Sequence, residues 1–331
     1  MKPIYQITID GNDKTEAMAP FLMNVALKDQ VGFKSDSLEL ELNNQGGALV
    51  VPEMGKEIRV ALGYEDTGLV DKGLFIIDEL ELRSPPEILR VHARATNLRQ
   101  GLTCGETKTW KDTTLGDICS EIASANGMDA VVAPELEFKA IASIQQESET
   151  PLQFLSRLAK SFDALFKCTV DKLLLMPRAS QTTPSGTPLP SLTLKRQQVQ
   201  QFSLKLPDRP NIKKVTAFWQ EPEKAKQHKI EVEGNGEGAC LSVPNIHASE
   251  AEATEKAQAL LAEKTRATKK LSMTCHGLPD LIAQMALELP EQDDENKGFA
   301  PAVAGRYRVV EVSHQLNDSG YTSRLTAESM D

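Results

Sequence analysis

The residues able to do chemistry in this 331-residue chain are few and scattered. Its five histidines (His92, His228, His247, His276, His314) stand singly, whereas a metal site needs several ligands brought to one face. Cys275 and His276 are neighbours, but they fall in a predicted strand that sends adjacent side chains to opposite faces. The five cysteines (Cys104, Cys119, Cys168, Cys240, Cys275) are odd in number and never form a CxxC pair, so they read as mostly buried apolar residues rather than a disulfide framework or a zinc knuckle. Glu39/Glu41 and the Asp293-Asp294-Glu295 run could supply the acid and base of a glycosidase. Such chemistry requires one carboxyl raised in pKa by burial, and both groups lie in polar surroundings that fit a solvated strand face and an exposed loop. Gly234 to Gly238 lacks the Lys-Ser/Thr of a phosphate-binding loop and reads as a turn; GxSxG, HExxH and strand-linked GxGxxG patterns are missing. The expectation is a protein with no catalytic, cofactor-binding or metal residues.

The elements that would position any site are mainly strands. Tyr5, Ile7 and Ile9 alternate with polar residues before an Asp10-Gly11-Asn12 turn. The same period of two returns in Met23/Val25/Leu27, Leu38/Leu40/Leu42, Ile58/Val60/Leu62 and Leu89/Val91/Ala93, with turns at Gly46-Gly47, Gly63 and Pro85-Pro86. These segments predict one antiparallel barrel or sandwich over residues 1–103.

Near Cys104 the period changes. Thr114 and Asp117 have capping-box spacing ahead of Leu115, Ile118, Cys119 and Ile122 on one helical face, with Asn126-Gly127 as the stop. Thr150, Pro151 and Gln153 open a second helix that buries Leu152, Leu155, Leu158, Ala159 and Phe162. With a hairpin from Leu165 to Met176 this predicts a small α+β domain over 104–179. Ser180 to Ser191 reads as a linker. Residues 192–331 return to alternation at Phe202/Leu204/Leu206, Val215/Ala217/Trp219, Ile230/Val232, Leu271/Met273/Cys275, Tyr307 to Val312 and Tyr321 to Ala327. A helix from Ser249 to Arg266 packs through Ala253, Ala257, Leu260 and Leu261. The predicted fold class is α+β, mainly β: two antiparallel β-barrel units flanking the small α+β domain, a plan that resembles an internal duplication.

A net charge of −10 opposes the attraction that supplies most non-specific nucleic-acid affinity, and it suits a surface past which DNA slides. No stretch approaches the roughly 18 apolar residues of a membrane span, and Met1 to Ile9 lacks the blocks of a secretory signal.

Two segments carry a family resemblance. WKDTTLGDICSEIA followed by IQQESETPLQFLSRLAKSFDALF, from Trp110 to Phe166, closely resembles the phage late control gene D family, the tail hub proteins of contractile phages. Gln146, Glu147, Ser148, Phe154, Leu155, Arg157, Leu158 and Ala159 match its pattern, with Glu149 where Asp is usual. The closing GRYRVVEVSHQLNDSGYTSRLTAE is similar to the family's last hairpin through Tyr307, Val309, Val312, His314, Gly320, Tyr321, Thr322 and Leu325. The chain departs at Ile282-Ala283-Gln284, where relatives often carry a Pro-Gly turn. The resemblance implies a structural homotrimer in the virion tail baseplate, made and assembled in the host bacterial cytoplasm. Each subunit would supply two tail-tube-like β-barrels to a pseudo-sixfold ring joining the tail tube protein to a threefold tail spike protein, with phage DNA passing through the ring. Alternatives are the hub module of a type VI secretion-like spike, which a β-helical extension would mark and this chain lacks after its closing hairpin, and a cell-wall-degrading enzyme. Arg157 and His314 read as residues of local packing and turn geometry.

Overall fold

A computed structural model of the chain describes residues 2–30, 36–47, 49–95, 101–168, 171–178, 180, 190–206, 212–221, 226–234, 236–265, 269–292 and 298–330. Of the sequence features, most of the 180–191 linker and the Asp293-Asp294-Glu295 run lie outside the described residues.

The front of the chain runs β1 (Pro3–Ile9), β2 (Asn12–Asp13), α1 (Thr15–Met18), β3 (Leu22–Gln30), β4 (Ser37–Asn43), β5 (Glu57–Tyr64), β6 (Gly68–Arg83) and β7 (Ile88–Arg94). Next come β8 (Glu106–Thr114), α2 (Leu115–Ala125), β9 (Asp129–Val132), α3 (Pro134–Glu137), β10 (Ala140–Glu149), α4 (Pro151–Ser161), β11 (Ala164–Cys168) and β12 (Lys172–Pro177). The rear holds β13 (Ser191–Thr193), β14 (Val199–Lys205), β15 (Ile212–Glu221), β16 (Lys226–Glu233), β17 (Ala239–His247), α5 (Glu250–Thr265), β18 (Lys270–His276), β19 (Ala286–Leu289), β20 (Gly305–Asn317) and β21 (Gly320–Ser329).

Both capping boxes form as their spacing demands. Thr114 accepts from Asp117 N–H and Thr150 from Gln153 N–H, with reciprocal side-chain bonds back to each cap. Gly127 takes φ +67° just past α2, in the left-handed region a helix stop requires. The two helices close one core with Trp110, which stacks on the fully buried Phe154 at 6.0 Å between centroids.

The β-rich halves are not two separate barrels. Front and rear strands belong to one 13-stranded sheet in the order β14-β18-β21-β20-β3-β4-β7-β6-β5-β1-β2, and among the described residues this path does not close on itself. Alternation marks which residues face a core, but not which edge a strand selects. For the same reason Val215, Ala217, Ile230 and Val232 belong elsewhere than expected: β16-β15-β17 form a separate three-stranded sheet covered by α5, with its own core around Ile212, Val215, Ala253 and Ala257.

Within the large sheet the halves repeat one plan. The front pairs β5-β6-β7-β4-β3 and the rear pairs β19-β20-β21-β18-β14, in matching chain order and all antiparallel. The registers coincide residue by residue. Leu38, Leu40 and Leu42 face Ala93, Val91 and Leu89 as Leu271, Met273 and Cys275 face Ala327, Leu325 and Ser323. Irregularities coincide too. The register shifts between Ile77 and Glu79 on β6 and between Val309 and Glu311 on β20, opposite Ala93 and Ala327 respectively. It shifts again between Leu22 and Asn24 on β3 and between Val199 and Gln201 on β14. The β3 irregularity explains why Met23, expected inward, is 40% exposed while Val25 and Leu27 are buried: an extra residue restarts the alternation.

The correspondence extends to one left-handed residue. Gly55 at φ +84° donates its N–H to Ile77 O, and Gln284 at φ +74° donates to Val309 O, the equivalent position. That is the place where the sequence departs from the family's Pro-Gly. Gln284 thus occupies a glycine conformation, and its buried amide nitrogen Nε2 has no hydrogen-bond partner among the described residues. Left-handed backbone costs an L-residue roughly 1–2 kcal/mol. Gln284→Gly, which also removes the unpartnered amide, is expected to stabilise the protein by about 1 kcal/mol net of glycine's entropy, read as a higher denaturant midpoint; Gly55→Gln is expected to lower it.

Candidate functional site

The position most able to govern function is the seam where the halves join. β3 pairs antiparallel with the second half of β20, from Asn24↔Asn317 to Gln30↔Glu311. Beyond the ladder, Leu316 and Tyr321 of the rear hairpin belong to the front core with Val25, Leu27, Leu38, Leu40 and Leu42. Tyr64 donates its hydroxyl to Gly277 O at 3.1 Å, and the Tyr321 ring leaves no room for a Cβ at Gly277.

A buried charged cluster sits at the end of the seam. Asp29 continues the inward phase of Val25 and Leu27, so the strand period drives a carboxylate into the interior. Its Oδ1 accepts from Lys167 Nζ at 2.6 Å and its Oδ2 from Ala283 N–H at 2.7 Å. Lys167 also meets Asp36 Oδ2 at 3.0 Å, while Asp36 Oδ1 accepts from Gln30 N–H at 3.0 Å. Lys167 lies on β11, so the α+β unit is tied to the front strand at Asp29, whose other carboxylate oxygen holds the rear loop at Ala283. Burial opposes the charge on Lys167, but Asp29 and Asp36 outweigh it and raise its pKa. Burial likewise pushes against ionised Asp29, yet Lys167 and the Ala283 N–H hold its carboxyl below the usual value. Asp36 ends the other way: burial, with Asp29 repulsion added, overcomes Lys167 and raises it to about 6.

A second network lies beside it. His314 is 1% exposed; its Nε2 is 3.0 Å from Leu281 O and its Nδ1 2.9 Å from the Tyr321 hydroxyl and 3.0 Å from Ser323 Oγ. Leu281 O can only accept, so Nε2–H donates to it, Nδ1 of the neutral ring accepts, and the Tyr321 O–H donates to Nδ1. Burial, helped by Lys72 at 3.2 Å, lowers the His314 pKa to about 3, so the ring is a neutral structural bridge. Lys72, reaching over from β6, donates to Pro279 O, and burial lowers its pKa to about 8.

The other sequence candidates are dispersed. Cys275 is buried and His276 exposed, on opposite faces of β18. His92 is 3.5 Å from Glu39 and His228 stacks on Trp219. Glu39 and Glu41 flank Arg90, which bonds Glu41, on a polar strand face. Cys119, Cys168 and Cys275 are buried, in line with the expectation that the cysteines are mostly buried, while Cys104 and Cys240 are exposed. Arg157 binds Glu149 and donates to Gln145 O at 2.7 Å, tying α4 to β10. It lines a cleft of about 890 Å³ between the α+β unit and α5, with Glu252 and Lys256. These groups are engaged locally, Glu252 with His247 and Lys256 with Ser161. Among the described residues no three His, Cys, Asp or Glu side chains converge as metal ligands, and no helix is long and apolar enough to cross a membrane. Asp29, Asp36, Lys72 and Lys167 were not singled out from sequence; the inward phase of Asp29 was the available signal.

Comparison with known proteins places this architecture. Residues 76–320 match the family described as phage tail baseplate hub (GPD). The chain belongs to that family. It is 29% identical over 369 residues to the probable baseplate hub protein of Escherichia phage 186, covering 99% of this chain and 93% of that protein. Its counterpart in Escherichia phage P2 is 28% identical over 361 residues, with the same coverage. The fold matches the crystal structure of a 43 kDa tail protein of prophage MuSo2 from Shewanella oneidensis, with TM-score 0.69 at 16% identity over 99% of each chain. The hub protein is a structural, non-enzymatic component of the baseplate of a contractile phage tail.

Because breaking a buried ion pair strands an uncompensated charge, Lys167→Met is expected to cost the hub protein about 3–5 kcal/mol at pH 7. Part of the loss returns at pH 5 as the stranded carboxylates take up protons, measured by denaturant unfolding at both pH values. Asp36 titrates higher in the folded chain (about 6) than its ordinary 3.8, so the folded state binds the extra proton between these values. Its contribution is present below pH 4 and lost as pH rises to 6. The stability of Asp36→Asn relative to the unsubstituted protein is therefore expected to rise from pH 4 to pH 7; a flat difference contradicts the assignment.

Proposed function

We propose that the hub protein adapts symmetry: three copies form a ring in which front and rear units occupy six near-equivalent positions, sixfold towards the tail tube protein and threefold towards the spike protein. The observation that carries this reading is the five-strand repeat, with its coincident registers, shifts and left-handed residue. Two copies of one scaffold per chain, multiplied by three, supply the number of positions a sixfold tube presents. Residues 1–103 and 192–331 carry the two tube-like units, the second also holding the α5-covered sheet, and each half of the large sheet is completed towards a barrel by its neighbour. Residues 104–179 form the α+β domain, and 180–191 the connection. A closed ring also relieves the liability of open sheet edges, which attract unwanted strands.

The net charge of −10 suits a passage for DNA, since a surface of like charge does not retain the polyanion. Work of this kind needs large, specific subunit contacts and no reacting groups, in accord with the local pairing of the ionisable residues in the α4–α5 cleft.

Light scattering tests the reading. The purified protein is expected at three times the 36.3 kDa chain mass, and with its spike protein at that mass plus the mass of the bound spike. A chain that stays monomeric in the presence of both spike and tube proteins contradicts it.

A further inference from the structure

The repeat has an asymmetry that identifies a contact surface. In the rear unit, the outer edge of β20 beyond Val309 is covered by β3 of the front unit. The equivalent edge of the front unit, β6 beyond Ile77, has no strand beside it among the described residues. Likewise β3 is paired on both sides, by β4 and β20, whereas among the described residues its equivalent β14 is paired only by β18. One chain thus holds one satisfied copy of a contact and both unsatisfied halves of a second copy.

Resting on the ring proposed above, we propose that β14 of each hub subunit pairs antiparallel with residues 80–84 of the next copy, repeating between chains the β3–β20 seam made within each chain. The register follows from the equivalences. Leu27↔His314 becomes Leu204↔Leu82, and Ala26↔Gln315 becomes Ser203↔Arg83.

Three observations support a second copy as the occupant. The surface continues an interface already present, so one geometry serves both contacts. Leu82 and Leu206 are 61% and 62% exposed, while the residues at their equivalent positions in the seam, His314 and Asp29, are 1% and 8% exposed. The apolar side chains lie bare where a strand is lacking. The charges also match: across the seam Lys28 Nζ meets Glu311 Oε1 at 3.0 Å, and the equivalent residues are again a lysine and a glutamate, Lys205 and Glu79. Both are exposed and have no ion-pair partner among the described residues. Their pairing between copies would reproduce the bridge. A heterologous contact of this kind forms a ring when its rotation closes, and edge pairing gives main-chain bonds with side-chain complementarity for register.

The test is a short thiol crosslinker applied to the full-length Ser203→Cys/Arg83→Cys variant, with the exposed Cys104 and Cys240 changed to Ser, alongside light scattering of the same sample. Both new cysteines are at exposed positions. The expected result is a denaturant-resistant ladder ending at three linked chains, with neither single variant linking beyond background. A trimer by mass with no ladder overturns the pairing while leaving the trimeric reading intact; a monomer by mass that persists when spike and tube proteins are added removes both. Charge reversal gives an independent readout. Lys205→Glu and Glu79→Lys are each expected to lose the trimer peak at concentrations where the unsubstituted protein keeps it, and the double exchange to regain it. A trimer unmoved by either single reversal contradicts the proposal.

Discussion

Everything in this protein depends on the antiparallel pairing of residues 24–30 with 311–317. That ladder ties the start of the chain to its end and converts two sheets into one. Pairing at such sequence separation must offset the entropy of closing a long loop, though this cost grows only slowly with length. The seam has more than backbone bonds to do so. The rear hairpin inserts Leu316 and Tyr321 into the front core, and Asp29, Asp36 and Lys167 lock a third unit against the same point. A buried ionic cluster is a poor source of raw stability but a strict condition on geometry, since any rearrangement strands a charge. The mutual orientation of the front and rear units is therefore determined by a contact that tolerates little adjustment.

Such rigidity suits the proposed symmetry adaptor. A part proposed to join rings of different symmetry must present repeated surfaces at fixed spacing, and one scaffold used twice in one chain does this without perfect identity. The halves keep the same shifts in register because these set local twist and bend, and so the shape of each unit. They differ where their neighbours differ. The β20 edge carries a buried neutral histidine beneath its covering strand, and the β6 edge carries an exposed leucine. The α5-covered sheet is inserted between β14 and β18 in the rear unit, at the position of the 31–36 connection in the front.

Much of the local structure was legible in the sequence. Period-two runs located the strands of both halves, and the Thr114 and Thr150 boxes located two helix starts, because both signals arise within a few residues. Edge choice was not legible. Val215 and Leu271 belong to equally regular alternations yet join different sheets, since pairing is decided by residues far away in the chain. The site was half visible: Asp29 is a charge in the inward phase of β3, but Lys167 gave no sign that it neutralises it, being 138 residues away. The sequence marks Ile282-Ala283-Gln284 as a departure from a Pro-Gly turn, and only the repeat shows that Gln284 stands where the other half has Gly55. His314 was expected to hold local geometry, and it bridges Leu281, Ser323 and Tyr321.

The central claim, that one chain supplies two equivalent positions, is tested most directly by electron cryomicroscopy of the hub bound to the end of its tail tube, reconstructed with threefold symmetry. Strands 22–94 and 199–329 of the large sheet should alternate every 60° at one radius and height, and imposing sixfold averaging should leave the ten repeated strands resolved. Front and rear units found at different radii or heights, or strands that vanish under sixfold averaging, would contradict it.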